Sequence, residues 1–308
     1  MNGTKNDRWL HRYATFVALA TFLLIIAGAL VTSNDAGLSV PDWPTSFGSF
    51  RMPRMVGGVK FELGHRMIAG TVVILTVILA VWLWKREERR WVQRLGGIAV
   101  LTILAQALLG GITVLYYLPV DISVAHACLA QLFFCIMVSI ALFTKSDWHS
   151  DRPKLEDAST PSLRHLSIAT TISVFVQLML GAAFRHHGFR IMAHVLVAVV
   201  VTIMVFWLLV RVLSGFHNEP RLQRPALFVA GLLVIQIGLG IGSYFAVIRS
   251  QNAPQPLPAV VAVTTTHLAV GALLLASCLV LTLAVHRLVR EPGRPAAQVI
   301  SNAIGVGK

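Results

Sequence analysis

The sequence predicts an all-α integral membrane protein: eight transmembrane helices forming two pseudo-symmetric four-helix bundles, with both termini in the cytoplasm. Three observations carry that reading. The 308 residues are 56% hydrophobic and only 13% charged, about half the charged share of a soluble domain, and the mean hydropathy is +0.73. The apolar residues gather into eight blocks, each near the ~20 residues a helix needs to cross the hydrocarbon core. The basic residues between those blocks are unevenly shared between the two sides.

The blocks run over residues 13–32, 65–84, 97–117, 124–144, 166–184, 191–210, 226–248 and 259–285. They take up more than half the chain and leave no soluble domain of useful size. The polar stretch from Met1 to Arg12 leads straight into a full-length span. It reads as the flank of a retained first helix, not as a cleaved signal or transit peptide. Of 26 Lys and Arg, 19 fall in the N-terminus, the 2–3, 4–5 and 6–7 loops and the C-terminus. Six fall on the other side, and Arg66 stands at the edge of span 2. Because basic loops stay in the cytoplasm, this split sets the orientation; the expected absence of a transit peptide fits a bacterial inner membrane. The split also accounts for the net charge of +13 without nucleic acid, since no basic run is interleaved with aromatic residues. Cys128, Cys135 and Cys278 all lie inside apolar blocks, which argues against a disulfide framework or a cysteine metal site.

An internal repeat organises the spans. Spans 3, 5 and 7 each carry Gln-x-x-x-Gly, at Gln106–Gly110, Gln177–Gly181 and Gln236–Gly240; span 1 has Gly28, with Leu24 in place of the glutamine. Each even-numbered span has a histidine near its start. The unit is thus a helix pair used four times. The longest cytoplasmic link divides the chain into an N-terminal half (1–148), a linker (149–164) and a C-terminal half (165–308), each half enclosing one site. The glycines serve either ordinary small-residue helix packing or the close approach of a flat macrocycle.

Of eleven histidines, His11, His149, His165, His217 and His286 sit in or beside cytoplasmic segments and read as solvated. His186 and His187 occupy the short outer 5–6 loop, with no role fixed by spacing. His65, His126, His194 and His267 differ. Each lies toward the outer side at the repeated position, and an intramembrane imidazole is costly unless paired or ligated. Two such rings facing across a helical bundle can supply both axial ligands of a haem iron. Pairing His65 with His126 and His194 with His267 gives one haem-sized site per half. Neutral imidazoles on zinc or copper are the competing assignment, weakened by the lack of a cysteine or carboxylate to complete the second-half set.

Glu62 precedes His65 by three residues and shares its helix face. It is either an acid placed to take a proton near the site or an exposed interfacial carboxylate paired with Arg66 or Lys60. The second half has no counterpart before His194 or His267, so the first site is expected to be reactive and the second to hold a structural or electron-carrying cofactor. The 1–2 loop, with Gly37, Pro41, Asp42, Trp43 and Pro44, reads as an ordered lid or as an interfacial loop anchored by Trp43. Outer arginines Arg51, Arg54, Arg185, Arg190 and Arg249 are candidates to meet haem propionates, and no spacing selects among them.

With these pieces assembled, the chain resembles the haem A synthase family. The resemblance rests on Gly37-Leu38-Ser39 with Pro41-Asp42-Trp43-Pro44, on Glu62-Leu63-Gly64-His65-Arg66 (which fits a Glu-x-x-His-Arg signature), on the three Gln-x-x-x-Gly helices and on the three later histidines. It implies an enzyme that oxidises the C8 methyl of haem O to a formyl group through a hydroxymethyl intermediate, serving terminal-oxidase biogenesis. It also implies haem b on His194 and His267 in the C-terminal half. Haem O is then the substrate at His65 and His126, with Glu62 as catalytic acid. Haem O synthase and oxidase assembly factors are the implied partners beside the bilayer; oligomeric state stays open. Some members carry paired cysteines in outer loops; this chain has none there and resembles the cysteine-free subgroup. The rivals are a di-haem b-type cytochrome passing electrons between quinone and a partner, and a haem exporter, for which no long Trp-rich outer segment is present.

Overall fold

The computed structural model describes residues 8–149 and 154–291. The expectations for the leader, for part of the 149–164 linker and for the C-terminal tail fall on residues outside these. Eight long helices make up most of the described chain: α1 (Arg8–Ser33), α2 (Val59–Arg86), α3 (Arg90–Leu115), α4 (Val120–Phe143), α5 (Leu163–Arg185), α6 (Ile191–Gly215), α7 (Pro220–Arg249) and α8 (Pro258–Leu288). All eight are long and apolar enough to cross a membrane. They overrun the apolar blocks at most ends because polar first and last turns, such as Arg90–Arg94 in α3 and Lys85–Arg86 in α2, can extend past the hydrocarbon. The outer faces are apolar, with Phe16, Leu19, Leu23, Ile74, Ile78, Leu101, Leu196 and Ile203 among many exposed large side chains. So wide an apolar exposure is far beyond what a soluble monomer tolerates, and it suits lipid.

The helices close in fours. α1 packs on α2, α2 on α3, α3 on α4 and α4 back on α1; α5, α6, α7 and α8 repeat the same circuit. Each circuit has its own apolar core, one running from Leu10 to Phe143 and the other from Leu163 to Val289. A small third cluster, Ile25, Phe134, Ala272 and Ala276, joins α1 and α4 to α8, where Phe22 and Phe134 stack at 5.7 Å between ring centroids.

The segment preceding α5, expected to be a plain linker, carries a clasp. β1 (Leu155–Glu156) pairs in parallel with β2 (Val289–Arg290), which directly follows α8. Asp157 secures the clasp: its amide donates to the Arg290 carbonyl at 3.0 Å. Its carboxylate accepts from the Leu163 N–H at 2.5 Å, from Ser159 and from Arg211. Burial would raise this carboxyl's pKa. The Ser159 and Leu163 donors together with the Arg211 charge outweigh burial and hold it below the ordinary carboxylate range. Two histidines expected to be solvated are instead half-buried packing elements: His11 Nδ1 lies 3.0 Å from the Ala141 carbonyl, and His286 Nδ1 lies 2.9 Å from the Thr282 carbonyl. Cys128, Cys135 and Cys278 are free thiols within α4 and α8.

Candidate functional site

Every odd-numbered helix meets the next helix through a glycine and a histidine. A Cβ built on Gly28 would stand 3.1 Å from His65 Cε1, and one on Gly110 3.1 Å from His126 Cε1. Gly181 faces His194, and Gly240 faces His267, at 3.0 Å each. Any larger residue would collide with the imidazole. The repeated glycine is therefore the floor on which each histidine ring lies. Between macrocycle and helix packing, the contact seen is with the ring of the neighbouring histidine, which makes both sequence readings too coarse.

His267 sits ten residues into α8, deeper than His65 and His126 in α2 and α4. The cause is the length of the α7–α8 hairpin. α7 continues nine residues past Gly240 while α8 runs nine residues before His267, so the two protrude together and the contact keeps its level.

Two glutamines of the repeat hold the same histidines by their side chains. Gln106 Nε2 donates to the His126 carbonyl at 2.9 Å and lies 3.3 Å from its Nε2. Gln177 Nε2 lies 3.1 and 3.2 Å from the two ring nitrogens of His194. The Nδ1 edges of His65, His126 and His267 turn toward the helix that carries the facing glycine, where the backbone of Leu24, Gln106 and Gln236 lies within reach of each ring. His194 and His267, from opposite corners of the α5–α8 circuit, bring their ring centroids to 6.5 Å. Two imidazoles sharing one metal at about 2 Å each would place their ring centres roughly 6 Å apart, so this pair fits axial ligation of one iron. His65 and His126 lie within electrostatic reach of each other across the α1–α4 circuit. Among the described residues no three His, Cys, Asp or Glu side chains converge on a common point, so the ligand sets on offer are pairs.

Glu62 is not the exposed interfacial acid that spacing allowed. It is 4% exposed, with Oε1 accepting from Arg66 Nη2 at 2.6 Å and Oε2 accepting from the Val40 N–H at 2.8 Å. Lys60 instead stands over the Phe61 ring at 4.9 Å. Arg66 is the residue sequence reasoning undervalued. Its guanidinium also donates to the carbonyls of Asp42 at 2.8 Å, Val40 at 3.2 Å and Thr45 at 3.2 Å. The loop of residues 34–58 is ordered from within by Asp42, whose carboxylate accepts from the amides of Phe47 and Gly48 and the Thr45 hydroxyl. These donors, Thr45 foremost, keep its pKa below the usual range. Trp43 lies against Gly111, where an added Cβ would meet its ring at 2.6 Å. The loop is a seated lid; Trp43 packs on protein.

Of the outer arginines, Arg185 is half-buried and donates to the Thr32 carbonyl at the end of α1, while Arg51, Arg54, Arg190 and Arg249 are exposed. His186 caps α5 and stands within electrostatic reach of His126. Its burial, and then the charges of Arg185 and His187, lower its proton affinity. His187 is exposed with φ of +62°.

Residues 59–189 match the family described as a cytochrome oxidase assembly protein, COX15-CtaA. Curated relatives named "Heme A synthase" include one from Lysinibacillus sphaericus, 29% identical over 59% of this chain and 60% of its own length. Another, from Shouchella clausii, is 28% identical over 58% and 59%, and one from Shewanella oneidensis is 29% identical over 56% and 55%. The chain thus spans about three fifths of the curated relatives it matches.

Proposed function

We propose, from the match of residues 59–189 to the COX15-CtaA family, that the chain is a haem A synthase, oxidising the C8 methyl of haem O to a formyl group. The observation that carries this is the glycine–histidine contact repeated four times. It supplies two ligand pairs at one end of the helices, where an electron-transfer cytochrome spanning the membrane would want its haems near opposite faces.

On this reading the two circuits are pseudo-symmetric halves, 1–148 and 165–308, with diverged roles. His194 and His267 hold haem b, a reading supported by their 6.5 Å ring separation. His65 and His126 fix the iron of the substrate haem. Haem b, when bound, supplies one-electron redox chemistry. The remaining work falls to the chain. Glu62, buried three residues before His65, is placed to take protons as the methyl passes through an alcohol and then a geminal diol that loses water, each oxidation taking its oxygen from water and passing two electrons to an external acceptor. Gln106 and Gln177 hold the rings of His126 and His194 in place, as outer-shell partners do for metal-binding histidines. The excess of Lys and Arg on the side of the termini supports a cytoplasmic N- and C-terminus, and the haem A synthase reading is taken in a bacterial inner membrane. Haem O synthase and oxidase assembly factors are the partners this function needs.

The test is pigment extraction from protein made in a host that supplies haem O, with chromatography and mass detection. Haem A or its hydroxymethyl precursor beside haem b is expected, and E62Q should retain both haem contents while losing the oxidised product. Haem b alone, with haem O in ample supply, would move the assignment to a di-haem cytochrome.

A further inference from the structure

Arg66 makes more bonds than an ion-pair partner requires. A helical i,i+4 pair at a surface is worth little, but here the two side chains are 16% and 5% exposed. The same guanidinium reaches three backbone carbonyls of the 34–58 loop. Glu62 completes the clamp by accepting the Val40 N–H. Val40 itself is fully buried.

The loop has a second anchor on the far side. Trp43 packs on Gly111 of α3, the residue after Gly110, which carries the His126 ring; Arg66 is the residue after His65. The two anchors therefore stand one residue from each half of the His65–His126 constellation, and the loop between them spans its outer end. Gly37 adds a third contact, with Leu118 beyond α3. Nothing equivalent guards His194 and His267, which are preceded by the short 186–190 loop and by residues 250–257.

We propose that Arg66 is a positioning residue. Its fork between Glu62 and three loop carbonyls seats the 34–58 loop as a fixed cap over the His65–His126 site, so that one cation holds both the cap and the acid. A guanidinium is suited to this because its planar fork serves several acceptors at once; an ammonium is a point donor. What lies beneath the cap rests on the haem O reading above, whereas the clamp itself does not.

The experiment is hydrogen exchange read by mass spectrometry on the full chain in lipid nanodiscs, with and without haem, alongside steady-state kinetics with haem O. R66A should speed exchange across residues 36–48 by tenfold or more while leaving residues 163–291 unchanged. It should lower kcat by tenfold or more with KM within about threefold. R66K, the safer variant for folding, should recover less than half of either loss. W43A should loosen the same peptide while sparing the Glu62 contact. Unchanged protection of 36–48 in R66A, full recovery by R66K, or loosening that spreads equally to 163–291 would each overturn the proposal. A wild-type chain that never oxidises haem O would remove the function proposed above, and the exchange pattern would still decide the cap.

Discussion

At the level of single residues, the four glycines set where the imidazoles can lie. A methyl group on Gly240 or Gly110 must displace a ring 3.0–3.1 Å away, and overpacking of this kind costs about 1–3 kcal/mol. G240A should therefore lose haem b while G110A keeps it, as read from absorption spectra of purified protein. G238A on the same helix, where an added Cβ meets nothing within 4 Å, should be silent in both pigment and thermal stability. Full haem b in G240A would show that the ring has room to shift. The histidines and Glu62 were readable as candidates because charged and titratable groups stand out against an apolar background. The glycine floor was visible only as a spacing. What it touches depends on how α1 and α2, or α7 and α8, rotate against each other, and helix rotation is set by packing that no single span encodes. Arg66 reads in the sequence only as an edge charge, a signature residue and a partner for Glu62 for a related reason: its other partners are backbone carbonyls, which carry no side-chain signature.

Among the elements, the helices were legible almost throughout, since a run of about 20 apolar residues has few other fates. The clasp was not. Two-residue strands carry too little periodicity to read, and β1 and β2 are separated by the whole of α5–α8. Asp157 is the group on which the clasp's pH response turns. Its folded pKa lies below its ordinary value, so the stabilisation is present above the unfolded pKa of ~3.9. It is lost as pH falls through the folded pKa. Thermal unfolding between pH 6 and 3 should show a fall in stability at the acid end, and D157N should lose this acid limb. D157A should destabilise at neutral pH by about 1–3 kcal/mol, the cost of leaving the buried Leu163 N–H unpaired. A D157N profile that fell as steeply as wild type would assign the acid limb to other carboxylates.

For the whole molecule, the two circuits meet where α8 and α5 pack on α1 and α4, and α8 brings small side chains to the middle of that joint. Ala272 is completely buried and Ala276 nearly so, against Ile25 and Phe134. Small residues let α8 lie close to α1 and α4, the usual basis of helix association in lipid. A272L should wedge this joint open at a cost of about 1–3 kcal/mol while leaving each circuit's core intact. The expected signature is two resolved unfolding transitions in place of one, with haem b retained to the higher of them. One sharp transition at an unchanged temperature would show that the joint has slack. The identity of the joint was not legible in the sequence, because it depends on which lipid-like face of each circuit turns inward.

The clasp also bears on the chain's connectivity. Because β2 follows α8 and pairs with β1 just ahead of α5, the last four helices form a ring whose ends are already fastened to each other. The first four close on themselves through α1 and α4. Neither closure uses the covalent link between Trp148 and Lys154. Two polypeptides, one ending near Trp148 and the other beginning near Lys154, should be able to find each other in the bilayer and rebuild the molecule across the Ala272–Phe134 joint.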